Sequence, residues 1–222
     1  MIKSVIAASL IGLASAPLLV QAQQAGNQQR AQLPPALQAA INSGNAAAVQ
    51  QAINTLAGGN PSRAALLAAQ TMAAAEQLIA TNPAAAAAVA NAAMRIAQSP
   101  AVQSASLAQL ATMLSAAARI MVAPAVIAAA PAAVAQLATA TLAVASTPTM
   151  VALAPTVSAA VAAAATTVAS NPIVAAAAPS AVLQLTQSVI TLTSTLDSQK
   201  PVAEPNPSLI IERQISLAAS PS

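Results

Sequence analysis

Residues 124–147 read PAVIAAAPAAVAQLATATLAVAST, a stretch with no charge, no aromatic side chain and no glycine. Its two prolines are seven residues apart, and the next 24 residues place prolines at the same two positions. The first series of such prolines is Pro100, Pro124, Pro148 and Pro172, and the second is Pro131, Pro155 and Pro179. This spacing indicates a 24-residue repeat.

Three positions of each repeat carry larger apolar side chains in a chain that is otherwise rich in alanine. Counting the first residue of a repeat as zero, these are offsets 2, 13 and 20. The columns are Leu78, Val102, Val126, Met150 and Val174; Val89, Met113, Leu137, Val161 and Leu185; and Ile96, Ile120, Val144, Val168 and Leu192. Because 11 and 7 residues are close to whole numbers of helical turns, we expect the columns to share one helix face and form the core.

Polar residues recur on another face, at offsets 8, 12, 15 and 19. Examples are Thr156 and Ser180; Thr112, Gln136 and Gln184; Ser115, Thr139 and Gln187; and Arg95, Arg119, Thr167 and Thr191. We expect these four offsets to face water.

The prolines also predict where helices begin. Asn60, Asn82, Ser99, Thr147 and Asn171 each precede a proline, which puts a capping side chain at the N-cap and proline at the first helical position. The inner prolines follow alanine instead, and proline inside a helix breaks or kinks it. Each repeat should therefore hold a short helix of about six residues and a longer one of about sixteen, since a helix ends before such a proline. The fold class is all-α, with the repeats stacked as an α-solenoid or antiparallel helical array; the alternative is a bundle of kinked helices.

The organisation along the chain follows from these patterns. Residues 1–22 read as a signal peptide with Lys3 before an apolar stretch, and cleavage is expected between Ala22 and Gln23. Residues 23–35 are a flexible Gln-rich segment, 36–75 hold N-terminal helices with a degenerate repeat, and 76–196 hold five repeats. Residues 197–222 form a proline-rich linker and a C-terminal tail.

The tail contains the densest aliphatic cluster outside the repeats and the signal. Its members are Leu209, Ile210, Ile211, Ile215 and Leu217. The cluster is either a docking segment for a partner or export machinery, or a cap on the last repeat.

The composition argues against most kinds of chemistry. The chain has no cysteine and no histidine, so thiolate chemistry, disulfides and the usual general base are missing. Its four acids are Glu76, Asp197, Glu204 and Glu212, and they form no carboxylate pair in the sequence. Serine and threonine hydroxyls without a neighbouring base are weak nucleophiles. We therefore expect no enzymatic activity, no cofactor and no metal site.

The few charges also argue against nucleic acid as a partner. Lysine and arginine number seven in 222 residues, they are dispersed, and aromatic residues for base stacking make up 0% of the chain.

Three kinds of function remain. The first is an exported structural or interaction protein in the periplasm, outside the cell or at its surface, whose partner is an envelope or surface protein, a membrane surface or a second copy. The alternative is a membrane-associated or membrane-embedded helical protein, since residues 121–196 contain no charge. A minor alternative is ice or surface binding: Thr156 and Thr167 have the eleven-residue threonine spacing of alanine-rich helical antifreeze proteins, which the chain resembles in composition.

Overall fold

Twelve helices form the part of the chain that the computed structural model describes, residues 33–199. They are α1 (Pro35–Asn42), α2 (Ala46–Ala57), α3 (Pro61–Leu78), α4 (Pro83–Ala97), α5 (Pro100–Ala105), α6 (Leu107–Val122), α7 (Pro124–Ala129), α8 (Pro131–Ala145), α9 (Pro148–Leu153), α10 (Pro155–Ala169), α11 (Pro172–Ala177) and α12 (Pro179–Gln199). Helix covers 86% of these residues, and no strand occurs among them. The all-α prediction is confirmed.

Four successive repeats consist of a six-residue helix and a long helix: α5 with α6, α7 with α8, α9 with α10, and α11 with α12. The chain leaves the helical conformation between the two, at Ala130, Ala154 and Ala178, where φ lies between −149 and −138° and ψ between 55 and 62°. The ring of the following proline excludes the α conformation at these alanines. The inner prolines thus separate two helices and do not kink one.

The break does not depend on proline. Leu107 stands where the other repeats have the inner proline, and Ser106 still adopts φ −161° and ψ 89° between α5 and α6. The repeat that begins at Glu76 differs in another way, because α3 continues to Leu78 and a turn leads directly to α4. That repeat has no six-residue helix.

Asparagine, and not serine or threonine, caps the helices that start with proline. The side chains of Asn60, Asn82 and Asn171 accept hydrogen bonds from backbone N–H groups of the first turns of α3, α4 and α11. The predicted caps at Ser99 and Thr147 are wrong, since neither side chain makes a capping bond. The hydroxyl of Thr147 instead donates to the carbonyl oxygen of Val144 at 2.9 Å, in the helix behind it.

The long helices form an array of two layers. Each packs against the next long helix along the chain and against the next but one. One layer consequently contains α3, α6 and α10, and the other contains α4, α8 and α12. The six-residue helices pack beside the long helices that they connect.

Twelve of the column residues, those in the four repeats from Pro100 onward, lie in the core at exposures of 0 to 4%. They are Val102, Val126, Met150, Val174, Met113, Leu137, Val161, Leu185, Ile120, Val144, Val168 and Leu192. In the repeat that begins at Glu76, Val89 is buried, whereas Leu78 and Ile96 are half-buried. Alanines such as Ala90, Ala93 and Ala138 fill the space between the columns.

One of the four polar offsets faces water in only some of the repeats. Offsets 8, 12 and 19 are exposed in the four repeats from Pro100 onward, whereas at offset 15 Gln187 is exposed, Ser115 and Thr139 are half-buried and Asn91 is buried. Asn91 faces the neighbouring helix of the same layer: its Nδ2 group in α4 donates to the carbonyl oxygen of Ala133 in α8 at 2.9 Å. The sequence pattern could not show this, because it does not say which helices become neighbours.

Replacing a column residue should destabilise the array strongly. We expect Leu137→Ala to lower the free energy of unfolding by about 2–5 kcal/mol, because a buried leucine leaves a cavity. The exposed neighbour Gln136 provides the control, because Gln136→Ala should change the free energy of unfolding by less than about 0.5 kcal/mol. Urea denaturation followed by circular dichroism measures both, and equal effects would contradict a core at offset 13.

The difference between the caps is also measurable. Asn82→Ala should lower the free energy of unfolding by about 0.5–2 kcal/mol, because the amide N–H of Ala85 loses its acceptor at 3.1 Å. Ser99→Ala, at an equivalent position before proline, should lower the free energy of unfolding by less than about 0.5 kcal/mol, since the hydroxyl of Ser99 makes no capping hydrogen bond. Thermal unfolding of the two variants compares them, and a Ser99→Ala loss as large as that of Asn82→Ala would contradict the assignment.

Candidate functional site

The ionisable side chains of residues 33–199 are few and mostly apart. Glu76 at the end of α3 pairs with Arg119 in α6, the neighbour of α3 in the same layer. The hydrogen bond that Arg119 donates to the Glu76 carboxylate raises the pKa of Arg119 above its usual value, against a smaller opposing effect of burial. The Arg119 side chain is 63% exposed, so the pair contributes at most about 1 kcal/mol. The pair is a surface contact between helices.

The buried polar side chains all donate hydrogen bonds to backbone carbonyl oxygens. Thr71 and Thr141 donate to the carbonyl oxygens of Leu67 and Leu137, four residues earlier in the same helix. Ser158 in α10 donates to the carbonyl oxygen of Ala145 in α8 at 2.9 Å. Asn91 donates to Ala87 and Ala133. Ser158 and Asn91 thus connect neighbouring helices, whereas Thr71 and Thr141 bond within their own helices. Sequence reasoning missed all four as buried groups because nothing in the sequence marks them as internal.

A groove of about 420 Å³ lies near the N-terminal end of the array. Its walls come from the end of α2, the first turn of α3, the end of α4 and the start of α5. Arg95 contributes its only charge, and Asn54 and Ser99 contribute further polar groups. The oxygen of the fourth polar residue, Asn60, accepts from the amide of Arg63 and so serves α3.

The outer sides of the two layers are broader and chemically uniform. On the layer of α6 and α10, the exposed positions include Thr112, Thr156 and Thr167, which we call the Thr face. On the layer of α8 and α12, they include Gln136, Gln184 and Thr191, which we call the Gln face. Alanines such as Ala132 in α8 and Ala160 in α10 are exposed as well. Both faces present hydroxyls and methyl groups, and the Gln face also presents amides.

Across residues 33–199, no three His, Cys, Asp or Glu side chains come together as metal ligands. None of the helices in the same range is both long and apolar enough to cross a bilayer.

The sequence-predicted positions fall into three groups. Pro100, Pro124, Pro148 and Pro172 begin six-residue helices, while Pro131, Pro155 and Pro179 begin long ones. The twelve column residues meet in the core between the layers. The cleavage site at Ala22 and Gln23 and the aliphatic tail cluster lie outside the described residues.

No protein family model matches the chain, and no curated protein or solved structure is significantly similar to it.

Proposed function

We propose that this chain is an exported, non-catalytic protein that binds a protein of the cell envelope or surface through an outer face of its helical array. The observation that carries the proposal is the repetition of exposed hydroxyl and methyl groups at offsets 8, 12 and 19 in both layers, joined by the amides of Gln136 and Gln184 in the layer of α8 and α12. Arrays of stacked helices commonly bind through extended surfaces of this kind, which is an argument from architecture.

The chemistry of the faces favours contact over catalysis. Alanine, serine and threonine lose little side-chain entropy when an interface forms, so even small contributions of each residue to the free energy of binding add up. The whole chain contains no histidine or cysteine, which removes the side chains that most often act as bases and thiol nucleophiles. The expected signal peptide supports export.

Charge predicts how such a complex should respond to salt. The Thr face carries Arg119 beside Glu76, so its net charge is small, and the Gln face consists of neutral residues at the positions named above. Binding through either face should therefore survive a wash with about 1 M salt, which screens exposed charges beyond about 3 Å.

Fractionation of the cells that make the protein tests this proposal. We expect the mature chain to begin at Gln23, to lie outside the cytoplasm and to stay with the envelope or surface fraction through the salt wash. The triple variant Thr112→Glu, Thr156→Glu and Thr167→Glu should lower retention at least tenfold if the Thr face binds, because charges that lose their water destabilise the interface.

The matched control is the other face, altered by Gln136→Glu, Gln184→Glu and Thr191→Glu. Loss of retention with one triple variant, but not with the other, identifies the binding face. Retention by both variants would contradict the proposal. Release by detergent alone, together with binding to protein-free lipid vesicles, would instead support the membrane-associated alternative.

A further inference from the structure

The outward side of the last helix, α12, is apolar and uncovered among the described residues. Six residues at offsets 10, 11, 14, 17, 18 and 21 form it: Val182, Leu183, Thr186, Val189, Ile190 and Thr193. We call this surface the end face. Leu183 is 73% exposed and Ile190 is 57% exposed, and the other four are exposed or half-buried.

The same six offsets are buried in the two preceding helices of this layer. In α8 they are Val134, Ala135, Ala138, Thr141, Leu142 and Ala145, and in α4 they are Ala86, Ala87, Ala90, Ala93, Met94 and Ala97. Later long helices cover them, since α4 packs against α6 and α8, and α8 packs against α10 and α12. The end face is therefore a stacking surface whose next helix is missing from the described range.

At the opposite end of the array, the outermost helices expose mainly polar residues. There α1 and α2 pack on α3 and α4. Their exposed residues are largely amides and hydroxyls, such as Gln38, Asn42, Gln51, Asn54 and Thr55. Terminal repeats usually need such a polar outer face to remain soluble. The end face of α12 presents Leu183 and Ile190 to solvent, so an apolar partner is needed to cover it.

We propose that residues 208–218 of the same chain pack on the end face and close the array. This segment holds the aliphatic cluster Leu209, Ile210, Ile211, Ile215 and Leu217. Ile211 and Ile215 are four residues apart, and Ile210 and Leu217 are seven apart, which are spacings that align on one side of a helix. Its charged residues, Glu212 and Arg213, are adjacent, and both can remain in water.

The connection is long enough for this arrangement. Residues 200–207 contain three prolines, and such a linker reaches about 3.1 Å per residue, or roughly 25 Å. Leu183, the most distant large residue of the end face, precedes Gln199 by 16 residues. At a rise of about 1.5 Å per residue, this places it about 24 Å back along α12.

Tethering favours the chain's own tail over a second copy. A segment on a short linker has an effective concentration in the millimolar range, well above that of a separate molecule at ordinary protein concentrations. The inference rests on the array alone and holds whether or not the outer faces bind a partner.

The test uses the absence of native cysteine from the full chain. One variant combines Thr186→Cys, in the middle of the end face, with Gln214→Cys in the tail, which lies three residues after Ile211 and three before Leu217 and so on the same side of a helix. Its matched control combines Thr191→Cys with Gln214→Cys. Thr186 and Thr191 are both exposed, and each donates to the carbonyl oxygen four residues earlier, at 2.9 and 3.0 Å. Five residues separate them, which at about 100° per residue puts Thr191 on the other side of α12.

We expect the Thr186→Cys pair to form its disulfide within the monomer at least tenfold faster than the control pair. Equal rates would overturn the proposal, because a tail that is not docked reaches both positions about equally, with similar loop lengths. Rapid dimerisation of the single variant Thr186→Cys would also overturn it, in favour of a second copy.

Truncation after Gln199 gives a second readout. The shortened chain should bind a hydrophobic dye more strongly than the full chain or associate with itself. Dye binding and mass that remain unchanged after truncation would overturn the proposal.

Discussion

Close packing between helices whose faces are largely alanine is the constraint on which this structure depends. A buried methyl group stabilises a fold by only about 0.8 kcal/mol, against about 1.5–3 kcal/mol for a buried valine, leucine, isoleucine or methionine side chain. The chain therefore repeats large side chains in three columns, adds others such as Leu110, Leu114 and Leu142 to the core, and lets alanine bring the helices near enough for these side chains to meet. Leu137 and Val144 are fully buried in α8, among alanines such as Ala138 and Ala145 that are also fully buried.

The periodicity of the sequence predicted the helices of this fold, but it did not predict which helices pack against one another. The inner prolines and the three columns are local signals, because helix phase and the steric effect of proline act within a few residues. They predicted the six-residue and long helices of the four repeats from Pro100 onward and twelve of the residues that line the core, but not other core residues such as Leu110, Leu114 and Leu142. The side-chain bond from Asn91 to α8 and the pair of Glu76 with Arg119 connect residues more than 40 positions apart. No local pattern specifies such partners, and so Asn91, Ser115 and Thr139 at offset 15 were wrongly expected to face water, whereas Gln187 does face it.

The break between α5 and α6 adds a further lesson about proline. Ser106 adopts the extended conformation although Leu107 follows it. Stacking of α5 on α3, α4 and α6 thus suffices to separate the two helices, and the inner prolines of the later repeats reinforce a break that packing already favours. The caps show the reverse case, since Ser99 and Thr147 match a capping pattern that only asparagine fulfils here.

The same alanine-rich composition determines the candidate functional surfaces. Side chains that would support chemistry are scarce, and the buried hydroxyls and amides serve the backbone. The surfaces that the array can present to other molecules are two outer faces of mostly uncharged side chains and one apolar face at the end of α12. The proposed roles use these surfaces separately, because the outer faces would bind a partner and the end face would receive the chain's own tail.

The central claim is that the phase of the three columns holds the array together, and a pair of deletions tests it most directly. Removing residues 138–161, which is 24 residues, joins Leu137 to Ala162 and keeps Val168 seven residues after Leu137. Removing residues 138–159, which is 22 residues, joins Leu137 to Ala160 and places Val168 nine residues after Leu137. At about 100° per residue, the second deletion turns Val168 to the opposite side of the helix.

Thermal unfolding followed by circular dichroism compares the two. The account predicts that the 24-residue deletion retains the helical signal per residue and a cooperative transition, whereas the 22-residue deletion loses cooperativity or unfolds at a clearly lower temperature. Identical melting of the two deletions would contradict it.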